Sequence, residues 1–125
     1  MADFKGWILA HRRWRQRLED YVEGRSGEEL VVAEVARDDR CTLGRWIGEN
    51  RAALSSDPEF LGLVERHAEF HREAAAVLAA AQNGDRDAAR RMLRPGSTYV
   101  EASGRVILAI QSVCARHCND AENAA

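Results

Sequence analysis

His67 and His71, in the stretch HAEFH, stand one helical turn apart. At positions i and i+4 of a helix, two imidazoles share a face and can grip the same ion. A buried neutral imidazole costs free energy unless both ring nitrogens find partners, so inward-facing histidines are expensive as mere filling. An isolated pair can still be two hydrogen-bonded core histidines. Two further residues shift the balance: His11, inside HRRW, and Cys41, which opens CTLGRWIGE. Three neutral nitrogens and one thiolate make a tetrahedral His3Cys set, for which zinc is the natural ion.

Other metal chemistries fail on specific absences. A di-iron carboxylate bundle needs Glu-x-x-His on facing helices, yet Ile8, Val64, Ala68 and Cys114 stand three residues before His11, His67, His71 and His117. A zincin needs Glu directly after its first histidine, and Ala68 follows His67. Hydrolysis therefore has no candidate general base, and no catalytic residue is assigned.

The elements that must position these side chains read as helices throughout. Phe4, Trp7, Ile8, His11, Trp14, Leu18, Tyr21 and Val22 recur at three- and four-residue spacing, and Gly24 with Gly27 ends that run. EELVVAEVARDD is expected to be helical to about Asp38 or Asp39, followed by a tight turn at Cys41 and a short helix over CTLGRWIGENRAAL. Asp57 and Pro58 form a start signal for a helix running to Gln82, where Asn83-Gly84 stops it. Within it Phe60, Val64, His67, His71, Ala74, Leu78 and Ala81 share one stripe. A short helix from Asp87 to Leu93, broken by Pro95-Gly96, precedes a last helix with Tyr99, Ser103, Val106, Ile110, Val113 and His117 inward. The expected fold is all-α: an antiparallel four-helix bundle with a short extra helix after the Cys41 turn, one domain over residues 1–120 and a disordered tail over 121–125.

Composition bounds the rest. A chain of 125 residues with 46% hydrophobic content can bury one core without disulfides. A net charge of -2 gives no general pull toward nucleic acid or anionic lipid. The apolar runs are too short to span a bilayer and MADFKGWILAHRRWR lacks a secretory signal, so a cytoplasmic protein without membrane insertion is expected. Three cysteines in a reducing compartment read as thiols, ligands or core residues.

HRRW at 11–14, CTLGRW at 41–46, HAEFH at 67–71 and the softer GSTYVEASGRVILAI at 96–110 occur in an order and spacing that resemble the CZB, or chemoreceptor zinc-binding, domains of the bacterial cytoplasm. The resemblance places that family's zinc ligands on His11, Cys41, His67 and His71. It implies a regulatory four-helix bundle, usually a homodimer, that reports zinc or reactive chlorine species to an output module, commonly a chemoreceptor or a diguanylate cyclase. The chain carries neither long coiled-coil heptads nor a GGDEF-like stretch, so the expectation is a signalling partner in trans, or a role other than the signalling that the family name suggests.

On this reading Cys41, held as thiolate by zinc and by the start of its short helix, is the redox-reactive element. Its oxidation would weaken the Zn–S bond while the histidines keep the ion. The alternatives are a zinc buffer or structural-zinc interaction module and, further off, a metal-dependent hydrolase with an open coordination position. Trp14 and Trp46 are expected as core aromatics that wall the site. Glu34 and Asp39 are candidate acceptors for a ligating histidine. Arg12, Arg13, Arg15 and Arg17 read as a solvated helix face. Cys114 reads as core, and Cys114, His117 and Cys118 as a weak second-metal or cross-linking group.

Overall fold

The computed structural model describes residues 2–124, with side chains through His117, and every regular element among the described residues is helical. α1 spans Phe4–Val22, α2 Val32–Val35, α3 Thr42–Asn50, α4 Pro58–Gln82, α5 Arg86–Met92 and α6 Thr98–Ala124. The all-α expectation holds. The tail expected from residue 121 falls where side chains lie outside the described residues.

Local chemistry sets the helix ends. The Asp3 carboxylate caps α1 by accepting the Gly6 N–H at 3.0 Å, and Asp57 caps α4 by accepting the Glu59 N–H at 3.0 Å with Pro58 in the first turn. Asn83 closes α4, and Gly84 at φ +84° takes the left-handed conformation that lets the chain leave. Asp85 caps α5 in turn, through the Ala88 N–H.

The second segment differs from its expected length. Only Val32–Val35 is helical, and residues 37–40 turn away. Val31, at the N-cap position, offers no side-chain acceptor, and β-branched Val31, Val32 and Val35 favour helix weakly. α2, the Cys41 turn and α3 together still act as one broken rod, because their contacts descend α4 in order. Leu30 meets Gln82, Val35 meets His71, Cys41 meets His67 and Trp46 meets Phe60. The rod therefore runs antiparallel to α4.

α1 rises alongside α4 in the same sense, Trp7 lying against Trp46 near Phe60, His11 against His67 and Tyr21 against Gln82. α6 descends it, with Thr98 bonded to Glu73, Arg105 to Glu69 and Arg116 to Asp57. Up, down, up and down is the bundle topology expected, with its second member interrupted at Cys41.

α4 is the central rod. Of the expected line it buries Phe60, His67, His71, Ala74 and Leu78 and leaves Val64 and Ala81 half-buried, and it also buries Leu63, Phe70, Ala75 and Val77. Tyr99, Val106, Ile110 and Val113 of α6 close the core completely. No helix among the described residues is long and apolar enough to cross a membrane.

Candidate metal centre

His11, Cys41, His67 and His71 come from four places in the chain and meet at one point. One donor atom from each lies within 4.8 Å of all the others, and among the described residues this is the one group of three or more such side chains so arranged. The histidines are 2%, 1% and 4% exposed, whereas Cys41 is half-buried. The core thus encloses three donors and leaves the sulfur at its edge.

Backbone carbonyls set which nitrogen of the His11 and His71 rings faces inward. His11 Nδ1–H donates to the Trp7 carbonyl at 2.6 Å, one turn back on α1. His71 Nδ1–H donates to the Val35 carbonyl at 2.9 Å, where α2 ends. Each bond commits Nδ1 as donor and turns the Nε2 lone pair inward, and a hydrogen bond of this kind on the other ring nitrogen is what fixes a ligating imidazole. His11 Nε2 is buried without any hydrogen-bond partner. An orphaned buried acceptor costs free energy that a cation at this point would recover.

The inward atoms have the spacing that a small ion requires. His67 Nε2 lies 3.1 Å from His71 Nε2, and Cys41 Sγ lies 3.2 Å from His67 Nε2 and 3.8 Å from His71 Nε2. Zinc bond lengths to nitrogen and sulfur imply tetrahedral edges of about 3.3 to 3.6 Å. The donor set fits zinc, and the separations among Cys41, His67 and His71 bracket those edges.

Electrostatics points the same way. Burial drives the His11 pKa down to about 4, outweighing the Trp7 carbonyl, with the neighbouring His71 adding to the fall. Burial first, and then His71 and His11, drive His67 to about 2. His71 is lowered by burial as well. All three rings are therefore neutral near pH 7, which is the ligating form. The Cys41 thiol is pushed up by burial, against the N–H groups of Gly44 and Leu43 that favour thiolate. The helix start acts in the expected direction and is outweighed; a divalent cation would supply the missing positive charge.

Packing accounts for the CTLGRW stretch. Cys41 is the N-cap of α3, its sulfur accepting the Gly44 N–H at 3.4 Å. Any Cβ on Gly44 would run into the Asp38 carbonyl, so glycine is what lets the 37–40 turn cross α3 and aim Cys41 inward. Leu43 is fully buried beneath the turn. Trp46 packs against Trp7 at 5.2 Å and Phe60 at 6.0 Å between ring centroids. It supports α3 from the core, while Trp14 stands in the cleft where Cys41 and His71 surface.

Glu34 and Asp39 do not serve the histidines. They pair with Arg40 and Arg37 on the surface, and carbonyls of Trp7 and Val35 take the place assigned to carboxylates. Carbonyl acceptors carry no side-chain signature, so residue types could not reveal them. Phe70 was also missed: its ring packs on His11 at 5.0 Å and His71 at 5.5 Å, and one step of helical spacing hid it behind the histidine stripe. At the far end, His117 approaches Asp57 at 3.5 Å. Cys114 packs against the core as expected but is disulfide-bonded rather than a thiol, and the Cys118 side chain lies outside the described residues.

No curated protein and no solved structure matches the chain. Residues 11–78 match the chemoreceptor zinc-binding domain, a span that contains all four converging side chains and stops short of α5, α6 and the softer 96–110 stretch. With more than half its length matched and the His3Cys group assembled inside that span, the chain belongs to the chemoreceptor zinc-binding (CZB) domain family.

Proposed function

We propose that the protein is a cytosolic regulatory zinc-binding module rather than an enzyme, with His11, Cys41, His67 and His71 as zinc ligands and Cys41 as the element that responds to oxidant. The observation that carries this reading is the asymmetry of the site: three buried histidines on α1 and α4, and one half-buried sulfur on a turn between two short helices. Four protein donors meet at one point, which supports a closed site over the open one that hydrolysis needs.

Hypochlorous acid would transfer oxygen to the Cys41 sulfur, releasing chloride and leaving sulfenic acid, a poorer ligand than thiolate. His11, His67 and His71 would retain the ion while the 37–44 turn is freed from it. A homodimer, and a chemoreceptor or diguanylate cyclase partner in trans, complete the proposal as the receivers of that change.

The test compares zinc content and affinity of wild type with Cys41→Ala, before and after hypochlorite. The expectation is one zinc per chain, weakened more than about 100-fold by the substitution, since loss of an outer-shell partner alone costs about 10- to 100-fold. Oxidised wild type should move toward the variant's affinity. Zinc binding indifferent to both Cys41 and hypochlorite would leave a structural or buffering zinc site and end the sensor reading.

A further inference from the structure

Cys41 and His71 both line a cleft of about 550 Å³, and His11 and His67 do not, so the cleft opens on the Cys41 edge of the cluster. Its walls carry Arg13, Arg17, Arg37 and Arg40, with Glu34 as the one acidic side chain and Trp14 on the α1 side. The side chains on the walls themselves carry more positive than negative charge, with the Asp38 carboxylate close enough to act on Cys41 and His71. Like charge at the mouth of a site slows the approach of a free ion, and opposite charge speeds it.

The arginines are only partly neutralised. Arg17 forks onto Glu28 at 2.7 and 3.1 Å while its guanidinium stacks on Trp14 at 3.8 Å. Arg37 forks onto Asp39 at 2.9 and 3.0 Å. Arg40 reaches Glu34 across a longer 3.7 Å, and Arg13 is exposed and makes no ion pair among the described residues. All these pairs are at the surface, where exchange for another carboxylate costs little. Planar guanidinium forks match carboxylates in a way that a diffuse positive field does not.

We infer that the cleft receives the metal as an anionic complex with a small polycarboxylate chelator, docked on Arg13 and Arg40, rather than as the free ion. The inference rests on the metal-site reading and adds the route and the carrier class. In the exchange, carboxylate–metal bonds would break as bonds to Cys41 Sγ and His71 Nε2, and then to His67 and His11, form; the Cys41 proton would leave to solvent and no electron would change hands. Removal by the same class of chelator follows the reverse path.

The test uses cobalt(II), alone and as its citrate complex, with the sulfur-to-metal absorption band reporting Cys41 coordination in stopped flow. Free cobalt is clamped while total citrate rises at low ionic strength. Uptake through the cleft makes the rate climb with the concentration of the citrate complex. Arg13→Gln with Arg40→Gln should lower that rate by about tenfold, leave the equilibrium band intensity unchanged and leave uptake of free cobalt no slower. Arg86→Gln, away from the cleft, serves as control and should match wild type. A rate that depends on free cobalt alone, or that the double variant leaves unchanged, overturns the carrier route while the metal site stands. Absence of the band at equilibrium in wild type overturns the metal-site reading, and the inference with it.

Discussion

At the scale of single residues, the site depends on groups that hold the ligands as much as on the ligands. Phe70 is fully buried and touches His11, His71 and Tyr99 through its ring. It limits the directions in which either imidazole can tilt. Phe70→Leu keeps most of the apolar volume and loses the ring contacts, so stability should fall by about 1 to 2 kcal/mol. Zinc affinity should fall by up to about tenfold as the Nε2 atoms lose alignment. Urea denaturation and competitive zinc titration read the two effects separately; an unchanged affinity would show that the Trp7 and Val35 carbonyls orient the rings unaided.

At the scale of elements, the broken second rod is what brings Cys41 to the histidines. α2 ends where its Val35 carbonyl accepts the hydrogen bond from His71 Nδ1–H, and α3 begins where Cys41 caps it. The turn between them exists because Gly44 admits the Asp38 carbonyl. Gly44→Ala should therefore destabilise by about 1 to 3 kcal/mol, the usual cost of overpacking, and weaken zinc binding by displacing Cys41. Gly48→Ala, four residues on in the same helix with open space at its Cβ position, should be neutral or stabilise by about 0.5 to 1 kcal/mol through helix propensity. The pair measured together separates steric exclusion from a general preference for glycine in α3.

At the scale of the molecule, the metal-binding point joins three of the four rods: α1 through His11, the broken rod through Cys41, and α4 through His67 and His71. α6 packs on α4 from the other side, pinned by Arg105 on Glu69 and Arg116 on Asp57. Zinc should thus act as a tie across the bundle. With free zinc about 1,000-fold above its dissociation constant, linkage adds about 4 kcal/mol, and stripping the metal should lower the melting temperature by about 10 to 20 °C. The stripped protein should also be acid-sensitive. Its His11 and His67 titrate near 4 and 2 when folded, against about 6.5 when unfolded. The unfolded chain therefore binds more protons below about pH 6.5, so the stability present above that pH is lost as the pH falls toward 4. Thermal melts of the metal-free protein from pH 8 to pH 4 measure this; a flat profile would mean that the histidines are not held neutral in the folded core.

How much of this was legible beforehand follows from the range of each interaction. Helical periodicity, the Asp57-Pro58 start and the Asn83-Gly84 stop are local, and they placed α4 and its two histidines on an inward face without reference to the rest of the chain. The types and spacing of His11, Cys41, His67 and His71 were likewise enough to select the four side chains that converge. α2 shrank to one turn because weak helix propensity there lost to the path that the chain must take past α4. The Trp7 and Val35 carbonyls, the Phe70 brace, the Asp38 carbonyl over Gly44 and the arginine cleft were decided only by the tertiary structure. Each depends on a backbone group or a surface shared between segments distant in sequence, and a backbone carbonyl is the same at every residue until the fold gives it a neighbour.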